Sequence, residues 1–188
     1  SQWERESLLR TQNIIVRQTT FESNHMTLPS PRLTNLAIFL LTCISMSFAL
    51  YLQHYQHLEP CPLCIFQRVA VIGISVTALI AAIHNPAVLG RRIYAGLTLL
   101  STIWGLAVAG RHVWLQHLPA DEVPACGPGL DYWMDTFPLQ EVIQKVFRGS
   151  GECAKVDWTF LGFSLPEWTL VMFVGYATLA MWQLIRKN

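Results

Sequence analysis

Charge is what this sequence has least of. Only 13% of its 188 residues are Asp, Glu, Lys or Arg, against about 25% in ordinary soluble domains. It has no basic stripe to follow a phosphate backbone, and its net charge is +1, so nothing points to nucleic-acid binding. Its second cysteine pair, Cys126 and Cys153, is separated by twenty-six residues, and no His-x3-5-His follows it. That weighs against a closed zinc site, which combines close pairs, although His54, His57, His112 and His117 offer nitrogen ligands. A cleavable signal peptide is not evident either: the first apolar run is too long, and no small-residue cleavage site follows it. Residues Ser1 to His25 are polar, lack an initiator Met and precede Met26. They are read as an added or upstream extension and set aside from the fold, the alternative being a disordered tail.

What the chain does have is apolar length, with 52% hydrophobic residues gathered into runs. A helix needs about 20 apolar residues to cross a bilayer core. Four segments qualify, at about 33–52, 65–83, 93–110 and 168–185, leaving a long loop at 111–167. Backbone exposed to lipid must satisfy its own hydrogen bonds, so the spans are expected as helices in one bundle. The expected fold is therefore an all-α integral membrane protein, a four-transmembrane-helix bundle. Gly73, Ser75, Ala78, Gly96, Gly105 and Gly175 are candidates for close helix approach.

Lys and Arg set the expected orientation. Arg32, Arg91, Arg92, Arg186 and Lys187 fall on one side, which is expected to be cytoplasmic together with both termini. The short link at 53–60 and the long loop then face the periplasm.

Four of the five cysteines fall on that outer side, where disulfides persist. Cys61-Pro-Leu-Cys64 stands where the first link meets the second span. Pro62 suits the first turn of a helix, since its missing N–H has no partner there anyway. Cys61 is thus expected at the N-cap, where free N–H groups and the helix dipole favour a thiolate. Arg68 lies four residues past Cys64 on the same helical face. It can stabilise the Cys64 thiolate or an anionic acceptor, or simply snorkel to headgroups. Cys43, inside the first span, reads as an inert core residue.

In the long loop, Val123-Pro-Ala-Cys126-Gly-Pro-Gly129 precludes regular helix and reads as an exposed, extended segment. Such a strand can offer its sulfur to a thioredoxin-like groove, or Cys126 and Cys153 can form a structural staple; the residues alone leave both open. Leu139, Val142, Ile143, Val146 and Phe147 share one helical face within residues 138–147. A short amphipathic helix on the membrane surface is expected there. Gly149-Ser-Gly151 should end it and leave Cys153 in a flexible stretch. Trp158, Phe160, Phe163 and Trp168 read as an aromatic belt.

With these residues in view, the chain resembles the bacterial disulfide bond formation protein B (DsbB) family over about Thr34 to Ile185. The likeness rests on Glu59-Pro-Cys-Pro-Leu-Cys-Ile-Phe-Gln-Arg68, Pro124-Ala-Cys-Gly-Pro-Gly129, Gly149-Ser-Gly-Glu-Cys153 and Trp158-Thr-Phe-Leu-Gly162. The resemblance implies a quinone-dependent thiol oxidase that reoxidises a periplasmic DsbA-like thioredoxin-fold protein. It implies that Cys126–Cys153 meets this partner, with Cys126 forming the mixed disulfide and Cys153 released. The Cys61–Cys64 disulfide would then reoxidise the loop pair, and Cys64 would pass electrons to ubiquinone or menaquinone held by Arg68. His112 matches loosely, either as a group that assists protonation of the quinone or as an interfacial polar residue.

Two other readings compete. A vitamin-K-epoxide-reductase-like enzyme also pairs Cys-x-x-Cys with a quinone, but that family carries the motif late and the loop pair early, the reverse of this order. A membrane scaffold stapled by Cys126 and Cys153 predicts that Cys61 and Cys64 hold metal or stay inert.

Overall fold

The four apolar runs fold as four long helices, each long and apolar enough to cross a membrane. A computed structural model describes residues 29–186; the expected extension and Lys187 lie outside the described residues. The chain order is α1 (Pro31–Tyr55), α2 (Pro62–His84), α3 (Val88–Gln116), α4 (Leu130–Thr136), α5 (Leu139–Arg148), α6 (Gly151–Ala154), β1 (Thr159–Phe160), β2 (Phe163–Ser164) and α7 (Leu165–Ile185). This is the expected all-α membrane bundle.

Each helix outruns its expected span, by a first turn that starts at or next to a proline in α1, α2 and α7, and by polar residues such as His54, Arg91, Arg92 and Arg111 that lower hydropathy yet fit a helix. The largest difference is in α3, which continues to Gln116, so Arg111 and His112 belong to a helix rather than to the long loop. Helix α3 packs against both α2 and α7, and α1 packs against α2. The inward faces carry residues such as Ile38, Ile74, Ala78, Ala109 and Phe173. Leu40, Ile44, Ile72, Leu100 and Val171 point outward and are exposed, as lipid-facing positions should be.

The small residues divide in two. At Gly105 an added Cβ would lie 2.4 Å from the Phe173 ring, so only glycine lets α7 seat its buried aromatic against α3. Gly96 and Gly175 face open space, and the close-approach role expected of them is absent.

At one end of the bundle the long loop forms a cap. Val142 and Val146 of α5 are fully buried with Leu63, Val108, Leu115 and Trp133. The inner part of the amphipathic face therefore meets protein, while Leu139 stays exposed. Gly149, at φ 85°, ends the helix. Arg111 reaches from α3 to the end of α5, its Nε donating to the Phe147 carbonyl at 2.8 Å and an Nη to that of Arg148 at 2.9 Å. An antiparallel hairpin pairs Thr159 with Ser164 and Phe160 with Phe163. Its turn residues Leu161 and Gly162 both have positive φ, the backbone that a tight two-residue hairpin turn demands. Its aromatics gather around Trp168, whose indole N–H donates to the Phe160 carbonyl.

Candidate functional site

Helix α2 begins at the motif. Pro62 holds the first helical position, and the Cys61 side chain accepts the backbone N–H of Cys64 at 3.4 Å. The two sulfurs stand 3.2 Å apart, with Cys61 as donor. One turn deeper, Arg68 donates to the Gln53 side chain and, at 3.4 Å, to the Ala49 carbonyl. These bonds tie the guanidinium to α1 and hold it inside the bundle.

His112 enters from α3. Its Nε2 is 3.7 Å from Cys61 Sγ, and its Nδ1 is 3.2 Å from the Gln67 amide. His112 and Gln67 are both buried. The amide can present either its NH2 or its carbonyl to Nδ1, so the Gln67 orientation and the ring tautomer are chosen together.

Cys153 arrives from the cap. Contrary to the flexible stretch expected, it lies in the turn of α6 and is 1% exposed. Glycines at 149 and 151 bend the chain into the core, where Val146, Leu115 and Cys61 receive the thiol. Cys153 accepts a hydrogen bond from Cys61, and further ones from the Leu63 backbone and from Ser150. The Leu63 N–H is one of the free donors of the first turn of α2. The Cys61 bond, aided by these others and opposed by burial, brings the Cys153 thiol down to about 6. Donation to Cys153, then to Cys64, together with burial, drives the Cys61 thiol far above its ordinary range. The two shifts run in opposite senses, the Cys153 thiol lowered and the Cys61 thiol raised.

Cys126 is exposed, in the irregular segment expected around it. That segment rests on Gly151, whose N–H donates to the Ala125 carbonyl at 3.4 Å. A Cβ at Gly151 would come within 2.8 Å of the Pro124 carbonyl and 3.1 Å of Cys126 Sγ. On its other side, Gly127 lies under the Trp133 ring, 2.7 Å from where its Cβ would sit. Cys126 is thus exposed yet held against the turn that carries Cys153.

Beside these thiols a cavity of about 1010 Å³ runs between α1 and α7, lined by Cys61, Cys64, Gln67, Arg68 and His112 at its polar edge. Met46, Phe48, Val71 and Met172 supply much of its apolar wall. Arg68 and Lys155 are cations in its lining.

Cys61, Cys64 and Cys153 gather around the N-terminus of α2, Cys126 lies against Gly151 of the turn that carries Cys153, and Arg68 and His112 line the same cavity as Cys61 and Cys64. Among the described residues, Cys43 lies apart in α1, and His54, His57 and His117 do not join the cluster of Cys61, Cys64 and His112. Sequence reasoning missed Gln67, Gly151 and Trp133. Only Trp133 carried a local signal, its spacing from Leu130 and Phe137 marking one face of a short helix.

Residues 31–183 match the family model described as disulfide bond formation protein DsbB. The chain is 53% identical over 158 residues to a disulfide bond formation protein B of Acinetobacter baumannii, covering 84% of this chain and 92% of the relative. Its counterpart in Psychrobacter cryohalolentis is 54% identical over 159 residues, covering 81% and 90%. That of Nitrosococcus oceani is 52% identical over 150 residues, covering 80% and 89%. With four membrane-crossing helices and a gathered set of cysteines, this chain belongs to the DsbB family of membrane proteins that act in disulfide bond formation.

Proposed function

We propose that the chain is a quinone-dependent thiol oxidase of the bacterial inner membrane, reoxidising a periplasmic DsbA-like thioredoxin-fold protein. The observation that carries this reading is the contact between Cys153 and Cys61 beside a cavity lined by Cys64 and Arg68. It supports a continuous sulfur route from an exposed loop to a membrane-embedded pocket. Both termini are cytoplasmic in this reading, because Arg32, Arg91, Arg92 and Arg186 mark the end opposite the thiols.

Each step is an exchange in which a thiolate attacks a disulfide and expels a thiolate. A partner thiolate attacks Cys126 of the Cys126–Cys153 disulfide, and Cys153 leaves as thiolate. The partner's second thiol resolves the mixed disulfide, releasing oxidised partner and Cys126. Cys153 attacks Cys61 of the Cys61–Cys64 disulfide and expels Cys64, which faces the cavity. Cys126 then attacks Cys153, restoring the loop disulfide and freeing Cys61. A ubiquinone or menaquinone held in the cavity by Arg68 beside Cys64 would accept the two electrons and two protons released as Cys61 and Cys64 rejoin. Arg68 binds the acceptor and favours its negative charge, while His112 carries a proton between Cys61 and the cavity.

Trapping tests the entry point. With the Cys126–Cys153 disulfide formed, a partner retaining only its attacking active-site cysteine should accumulate as a mixed disulfide through Cys126, because it has no second thiol to resolve it. A complex formed through Cys61 instead would contradict the route.

A further inference from the structure

Cys61, Cys64 and His112 bring two sulfurs and a ring nitrogen within 4.8 Å of one another. Zinc bonds of about 2.3 Å to sulfur and about 2.0–2.1 Å to nitrogen, at tetrahedral angles, separate such donors by roughly 3.5–3.8 Å. The observed separations are 3.2 Å between the sulfurs and 3.7 Å from Cys61 Sγ to His112 Nε2. Little movement converts one arrangement into the other.

A second observation concerns the far side of the ring. Metal-bound histidines usually present their other nitrogen to a fixed partner that sets the tautomer. Here the buried Gln67 amide stands 3.2 Å from Nδ1. With its carbonyl turned to accept from Nδ1–H, the Nε2 lone pair is aimed at the sulfurs. Sequence spacing argued against zinc because it sought a second close cysteine pair; the third ligand comes instead from another helix.

We propose that the dithiol form binds a thiophilic divalent ion, zinc(II), through Cys61, Cys64 and the Nε2 of His112. Binding releases the two thiol protons, and the fourth position is left to a water from the adjoining cavity. The disulfide form cannot bind, since its sulfurs are joined to each other. The ion therefore holds the pair reduced, and zinc acts as a brake on reoxidation. The braking consequence rests on the thiol-oxidase reading, whereas the binding itself does not.

The test uses the full chain in detergent, reduced with a phosphine, freed of reductant and titrated anaerobically with cobalt(II) and then zinc(II). One equivalent of cobalt should give intense visible bands and a sulfur-to-cobalt charge-transfer band, and zinc should abolish both. Cys43→Ser should bind as the parent does. Gln67→Ala should weaken binding about 10–100-fold, the usual effect of losing a ligand's hydrogen-bond partner, and His112→Ala should weaken it more. Binding by the disulfide form, binding that survives Cys64→Ser, or no tetrahedral thiolate spectrum in the reduced chain would overturn the site. None of these outcomes depends on turnover, so the site can fail while the oxidase reading stands.

Discussion

Cys61 and Cys153 pack in one buried cluster, joining the N-terminus of α2 to the turn that follows α5. The contact crosses from a membrane helix to a soluble loop, and it polarises the two sulfurs in opposite senses. A thiolate on Cys153 is the species needed to attack a disulfide at Cys61.

The pH dependence follows from that polarity. In a reduced chain with Cys43, Cys64 and Cys126 replaced by Ser, reaction with a small disulfide should rise with an inflection near the Cys153 value of about 6. Adding Cys61→Ala removes the main donor and should move the inflection upward. Cys153 favours folding because its value is lowered, so its contribution is lost as pH falls through about 6 and is complete above the ordinary thiol value. Cys61 has the opposite sign and destabilises the fold above that value. The melting temperature of the reduced protein should therefore climb from pH 6 toward 9 and then turn down.

Gly151 is where the segment of Cys126 rests on the turn that carries Cys153. Gly151→Ala drives a methyl against the Pro124 carbonyl and Cys126 Sγ. Overpacking of this kind costs about 1–3 kcal/mol. Oxidation of the partner should slow by about 5–100-fold, while single-turnover oxidation of Cys61 and Cys64 by added quinone keeps its rate. Equal loss in both assays would show that the substitution damages the whole bundle.

Arg68 is held by two acceptors on α1, a pattern a lysine cannot reproduce with a single nitrogen at the same reach. Arg68→Lys should raise the KM for a short-chain quinone by about tenfold, or about 1.4 kcal/mol, with partner exchange at Cys126 unaffected. Titration of the initial rate with quinone separates this from a loss of kcat alone.

Arg111 binds the carboxyl end of α5 to α3 and packs over the Trp114 ring at 4.0 Å. Arg111→Ala should destabilise the cap by about 1–3 kcal/mol, since it deletes charge-assisted bonds whose acceptors then depend on solvent. Hydrogen exchange should quicken over residues 139–148 and remain slow in the middle of α2.

Much of this was legible in the sequence, for reasons that are local. Apolar length marked the four helices, and Pro62 marked the start of α2. The amphipathic spacing from Leu139 to Phe147 marked α5. What was not legible depends on contacts between distant segments. Gly149-Ser-Gly151 read as a loosening of the chain, yet those glycines turn Cys153 into the core. Leu161 gives no sign of the positive φ that closes the hairpin. The pairing of Gln67 with His112 joins positions 45 apart in sequence on separate helices, a register no single helix pattern encodes.

The central claim is that thiol electrons leave through Cys64 to a quinone. Its most direct measurement follows quinone absorbance in detergent, with reduced thioredoxin-fold partner and a short-chain ubiquinone. Absorbance should fall in proportion to the partner oxidised, and Cys64→Ser should abolish the fall. Full turnover by Cys64→Ser, or partner oxidation with the quinone unconsumed, would contradict the account.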